Sequence, residues 1–125
     1  MTLDEGHHRL FVGCRIPASL LVFDTESGKM VVSLTAVGSD DIFYDASKGR
    51  VYVLGNPTQT DARQVGAGFT EVFQQKDADH YANIATYPTG SGAWIGLFVP
   101  EWGKLFVATR RQGETSGGIL VYETN

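Results

Sequence analysis

Three stretches of the chain overlay without gaps. Asp4-Glu5-Gly6-His7-His8-Arg9-Leu10-Phe11-Val12 lies over Asp45-Ala46-Ser47-Lys48-Gly49-Arg50-Val51-Tyr52-Val53, and both lie over Val99-Pro100-Glu101-Trp102-Gly103-Lys104-Leu105-Phe106-Val107. Each reads as a strand end, a four-residue turn, a basic residue and then an apolar-aromatic-Val strand. A second series, Leu21-Val22-Phe23-Asp24, Glu71-Val72-Phe73-Gln74 and Leu120-Val121-Tyr122-Glu123, follows the first after a loop of variable length. A chain that repeats in this way builds one supersecondary unit several times, and stacked neighbours bury the faces that one unit cannot cover alone. The units run 1–38, 39–90 and 91–125.

Within a unit the apolar segments are short, rich in Val, Phe, Tyr, Leu and Ile, and bounded by Gly, Asp, Ser and Pro, which is the pattern of strands. They fall at 9–13, 19–24, 30–34, 41–44, 50–55, 69–74, 82–87, 95–99, 104–109 and 119–123, and no window holds a helical apolar stripe. Ser27-Gly28-Lys29, Ser47-Lys48-Gly49 and Glu101-Trp102-Gly103 each place a glycine where a tight turn uses a positive φ. Four antiparallel strands per repeat of about 40 to 50 residues is the pattern of a β-propeller blade. The expected fold is all-β: one domain, 1–125, of about three four-stranded propeller blades, with the third unit stopping after its third strand.

Composition narrows the function classes. With 125 residues, 42% of them hydrophobic, the chain can bury a core without metal or disulfide staples, and its single Cys14 has no partner for either. The formal charge is -4 and no basic run exceeds Arg110-Arg111, which argues against a nucleic-acid surface. The longest apolar stretches fall far short of the ~20 residues of a membrane helix. Met1-Thr2-Leu3-Asp4-Glu5-Gly6 lacks the basic start and apolar run of a signal peptide, so a periplasmic or secreted address would lie in a parent sequence.

Arg9-Leu10-Phe11-Val12-Gly13, Val22-Phe23-Asp24-Thr25-Glu26-Ser27-Gly28-Lys29, Asp40-Asp41-Ile42-Phe43-Tyr44-Asp45 and Arg50-Val51-Tyr52-Val53 together resemble the YVTN-type, or YncE-like, bacterial propeller repeat. The resemblance covers nearly the whole chain. It implies a ring of blades, of which this sequence resembles the C-terminal portion. Members of that family have seven or more blades and commonly complete their last blade with a strand from the N-terminus. Here Met1 already aligns with a first-strand residue, so completion falls to upstream blades of a longer parent or to another copy of the chain.

In a propeller the connections from second to third strand and from blade to blade share one face, and the other turns share the opposite face. The segments 14–18, 35–40, 56–68, 88–93 and 110–118 read as the longer loops, on the first face, where ligands are usually met. The candidates there are Arg15, Asp40, Asp41, Arg63, Trp94, Arg110 and Arg111. Asp40 and Asp41 read as cation or proton acceptors at a channel mouth, or as turn residues that bind backbone amides. Arg15, Arg110 and Arg111 read as clamps for a carboxylate or phosphate, or as partners of nearby acids. Trp94 reads as a stacking platform or as filling between blades. His7, His8 and His80 sit in turns on the opposite face and do not read as a metal site. Asp77-Ala78-Asp79 lacks the glycine and distal glutamate of a calcium loop, and Gly66-Ala67-Gly68 precedes a strand, not a helix. No cofactor is implied.

The functional expectation is a non-catalytic scaffold that closes its ring with a second copy, giving six blades, and meets a small molecule or a protein on its loop face. Two alternatives stand beside it. One is a lactonase-like hydrolase using Asp40 and Asp41, by analogy with related propellers; the other is a propeller fragment without independent activity.

Overall fold

The computed structural model describes residues 1–56 and 66–125. Among the described residues, eleven strands form three antiparallel sheets. The first contains β1 (Thr2–Asp4), β2 (Arg9–Arg15), β3 (Ala18–Asp24) and β4 (Met30–Thr35). The second contains β5 (Gly38–Asp45), β6 (Arg50–Asn56), β7 (Ala67–Gln75) and β8 (Tyr81–Ser91). The third contains β9 (Ile95–Val99), β10 (Lys104–Thr109) and β11 (Gly118–Glu123). Strands in each sheet lie side by side in chain order, as in propeller blades, and the third sheet ends at its third strand.

The registers reproduce the sequence overlay. Arg9 faces Asp24, Arg50 faces Gln74 and Lys104 faces Glu123 across the second and third strands of the three sheets. The aligned turns also share one backbone device: Gly49 and Gly103 both take φ 58, and His8, at the same repeat position, takes φ 56. In the third repeat this turn is a short 3-10 helix, Pro100–Trp102, closed by the Gly103 amide on the Pro100 carbonyl.

Alternating side chains build two cores between the sheets. Phe11, Leu20 and Val22 of the first sheet meet Ile42, Val51, Val53 and Phe73 of the second. On the opposite face of the second sheet, Tyr52, Leu54 and Val72 meet Leu105 and Val107 of the third. The inner strand β5 touches both β1 and β9, which places β1, β5 and β9 nearest the propeller axis and β4 and β8 at the rim.

Several strands run further than the apolar pattern foretells, so three of the expected long loops shrink. β2 and β3 are joined by Ile16 and Pro17 alone, β4 and β5 by Ala36 and Val37, and β8 continues to Ser91. Asp40 and Asp41 therefore lie inside β5 rather than before it, beside a bulge between Ser39 and Asp41. Many of the added strand residues, Arg15, Gly38, Ser39, Pro88, Gly90 and Ser91 among them, carry no strand signal. They pair because a glycine is required where backbones crowd: a Cβ on Gly55 would stand 1.9 Å from the Gly38 carbonyl oxygen.

Candidate functional site

The loop face brings the candidates together in pairs that bridge sheets. Arg15, at the end of β2, donates from Nη2 to Asp40 Oδ1 of the second sheet and from Nε to the Ser39 carbonyl at 3.4 Å. The Asp40 side chain is 10% exposed and its second oxygen, Oδ2, has no hydrogen-bond partner among the described residues. Burial pushes the Asp40 carboxyl above its ordinary 3.8, the Arg15 charge opposes the shift and Asp41 adds to it. Asp41 Oδ2 accepts the Gly96 amide of β9 at 2.9 Å, so it ties the second sheet to the third. That close approach needs glycine, since a Cβ on Gly96 would stand 2.6 Å from both Leu54 Cδ2 and the Phe106 carbonyl oxygen.

Trp94 is buried just before β9, and the Arg110 guanidinium stands over its ring, 5.7 Å from the centroid. A cation over an indole is an ordinary stabilising contact and holds that arginine beside the start of β9. Arg111 diverges from the others and donates to the Gly113 carbonyl in its own loop at 3.0 Å. Arg63 lies outside the described residues. Asp41 thus binds a backbone amide, but that of the next sheet rather than of its own turn, and Arg15 serves as the partner of an acid.

Sequence reasoning missed Glu71. It sits half-buried on β7, and its Oε2 accepts the Val37 amide, 2.8 Å away, in the connection between the first two sheets. Burial raises its carboxyl above the ordinary 4.5, although bonds from Val37 and Asn83 oppose the shift. The folded state therefore holds this proton more tightly than the unfolded state does. This contribution to stability is full below pH 4.5 and declines as pH rises from there through the raised folded value. Glu71→Gln keeps an acceptor for Val37 without a buried charge. It is expected to be more stable than the parent at pH 7, with the difference vanishing below pH 4.5, in urea unfolding at the two pH values. A variant less stable than the parent at pH 7 would show that the ionised bond outweighs its desolvation.

The opposite face carries a second bridging device, read from sequence only as a repeated basic residue. Arg9 binds Asp24 of its own sheet at 2.6 Å and reaches the next sheet at the Ala78 carbonyl, 3.1 Å, and Asp79, 2.7 Å. Arg50 repeats the reach, from Gln74 Oε1 at 3.2 Å to the Thr124 carbonyl at 3.2 Å. Between the two arginine-tied sheets, buried Asp4 accepts from Gln75 Nε2 at 2.8 Å, and Gln75 Oε1 accepts the Tyr44 hydroxyl at 2.7 Å. Burial pushes Asp4 up, but the bonds from Gln75 and His7 outweigh it and hold the carboxyl below 3.8. His7 and His80 each face a single aspartate, Asp4 and Asp77. No group of three or more His, Cys, Asp or Glu side chains converges among the described residues.

Comparison with family models, curated proteins and solved structures matches none of them to this chain.

Proposed function

We propose that this chain is a half-propeller, a non-catalytic binding scaffold that closes a six-bladed ring with a second copy of itself. The supporting observation is the repeat parity of its two uncovered faces. Phe11, Tyr52 and Phe106 share one repeat position: Phe11 is buried against the second sheet, Tyr52 against the third, and Phe106 lines a shallow apolar hollow with Ile95, Leu97 and Ile119 on the outer face of the third. Val22 and Val72 are buried likewise, while Val121, at the same position, is 51% exposed. At the other end, Val51 and Leu105 pack toward the preceding sheet, and Leu10, their equivalent, lies on the uncovered face of the first sheet. The third sheet thus offers the kind of face that twice meets a successor, and the first sheet the kind that twice meets a predecessor.

Lys104 stands where Arg9 and Arg50 stand, pairs with Glu123 of its own sheet at 3.5 Å, and in a ring would face the β3 to β4 turn of the second copy, which carries both Glu26 and Lys29. Three blades from each of two copies close a cyclic assembly, and the resemblance to YVTN-type repeats supports the same reading. Such a ring sets the Arg15–Asp40 and Trp94–Arg110 pairs twice around one mouth, the surface available to a small molecule or a protein. Asp40 and Asp41, on which a hydrolase reading rests, are engaged with Arg15 and Gly96.

The test is solution mass by light scattering across a dilution series. A mass of twice 13.6 kDa that persists on dilution is the expected result; a stable 13.6 kDa species would overturn the ring.

A further inference from the structure

The aspartates around the joint of the first two sheets are held in different ways. Asp4 accepts the His7 amide at 3.2 Å on one oxygen, and the His7 ring at 2.7 Å and Gln75 Nε2 at 2.8 Å on the other. Asp24 Oδ1 accepts the Glu26 and Ser27 amides and the Ser27 hydroxyl, and its Oδ2 takes Arg9. Asp40 differs. Its Oδ1 takes Arg15 Nη2, while Oδ2 is buried without a hydrogen-bond partner among the described residues. Ionised Asp40 thus holds a buried charge that one guanidinium alone supports, whereas buried carboxylates are ordinarily satisfied on both oxygens.

Arg15 is also the looser of the two arginines that bridge these sheets. Its side chain is 48% exposed, against 13% for Arg9 in the bridge on the opposite face. Arg9 uses all three nitrogens, on His7, His8, Asp24, Ala78 and Asp79. Arg15 uses two, Nε on the Ser39 carbonyl and Nη2 on Asp40, and its Nη1 has no partner among the described residues. Arg15, Asn56 and Arg110 share one repeat position, so the loop-face end of each second strand carries a polar donor.

We infer that Arg15 and Asp40 form a proton-coupled site for the oxyanion group of a small molecule, in which Arg15 passes from Asp40 to the anion as Asp40 takes up a proton. A guanidinium fork fits the paired oxygens of a carboxylate, and it takes sulfate or phosphate oxygens in the same way. Protonation removes the charge that burial disfavours, and the neutral carboxyl no longer competes for the arginine. The balance is one anion bound and one solvent proton taken up on the Asp40 carboxyl. Arg15 from β2 and Asp41 from β5 are the charged side chains that act on Asp40 among the described residues; β1, β3, β6 and β9, which also pack against β5, add none. Burial and Asp41 favour the neutral acid and Arg15 opposes it, so transfer of Arg15 to an anion moves the carboxyl further up. The inference rests on the reading of the chain as a binding scaffold and names its ligand chemistry. The site lies within one chain and does not need the ring.

The probe is sulfate, which stays doubly charged across the range in which Asp40 titrates. It is added to the full chain at constant ionic strength and followed by NMR of the Arg15 side chain. Above the folded pKa of Asp40, affinity is expected to fall by up to about tenfold per pH unit, the limit for one coupled proton, and to level off below it. Because linkage is reciprocal, sulfate is expected to raise the midpoint of the Asp40 carboxyl carbon titration. Asp40→Asn is expected to bind sulfate equally at every pH, and Arg15→Gln to lose binding. His7, His8 and His80 lie on the opposite face, so a pH dependence that survives in Asp40→Asn would be theirs and would overturn the coupling. An Asp40 midpoint unmoved by sulfate, or undiminished binding to Arg15→Gln, would overturn the site. Should Asp40→Asn not fold, the carboxyl titration of the parent decides. Light scattering on the same samples reports on the ring separately: a chain of double mass that takes up no sulfate would keep the ring and remove this site.

Discussion

Phe11→Ala is expected to lower the unfolding free energy by roughly 3–5 kcal/mol, the usual cost of truncating a fully buried phenylalanine. Phe11 has no exposed surface, and its ring contacts Tyr44 and Tyr81 with centroids 5.2 and 5.6 Å apart. Both tyrosines end in the network that joins Gln75 to Asp4. The substitution therefore opens a cavity at the joint between sheets and loosens the polar network behind it. Domains of this size are stable by about 5–15 kcal/mol, so a large share of the total is at risk. Equilibrium urea denaturation of parent and variant measures it. A loss below about 1 kcal/mol, the level of ordinary surface substitutions, would mean that the first two sheets do not share this core.

Leu97→Lys is expected to act on assembly and leave the fold of the single chain nearly unchanged. Leu97 is 58% exposed on the outer face of the third sheet, yet its repeat equivalent, Phe43, packs into the core between the second and third sheets. In a two-copy ring the substitution enters both interfaces, and each lysine loses hydration there, a cost of several kcal/mol wherever the buried charge stays unpaired. The expected result is a change from twice 13.6 kDa to 13.6 kDa. The melting temperature of the dissociated chain is expected to move little, because an exposed substitution ordinarily changes stability by less than about 0.5 kcal/mol. Persistence of the double mass would show that this face does not form the contact.

What the sequence revealed and what it hid separate along a physical line. The equivalence of Arg9, Arg50 and Lys104, and of Asp24, Gln74 and Glu123, was legible because turn chemistry and alternation are local and repetition read them three times; the structure sets each of the first across from its counterpart in the second. The outer ends of β5 and β8 were not, because Gly38, Ser39 and Gly90 carry no preference for a strand and pair only when the neighbouring strand is in place. The same holds for the loop face. Arg15 and Asp40 each looked like a ligand group on its own, and only stacking of the first sheet on the second turns them into each other's partner. Asp41 meets Gly96 across 55 residues, a contact that no spacing rule encodes. Glu71 stands where the aligned repeats carry Leu21 and Leu120, and that departure from the repeat was the one available sign that its carboxylate meets a backbone amide.

Strand β6 gives its odd and even residues to two different cores, and every residue after Arg50 in it is buried. It has no neutral side on which substitutions can accumulate. A one-residue insertion there would exchange Val51 and Val53 for Tyr52 and Leu54 in both cores at once. Strand β11 is the reverse, with Ile119 and Val121 more than half exposed. Drift should therefore be narrowest in the middle strand of the middle sheet and widen toward the terminal sheets. Wherever an exposed apolar residue at an end resists drift as firmly as β6 does, that resistance is the footprint of whatever covers it in the cell.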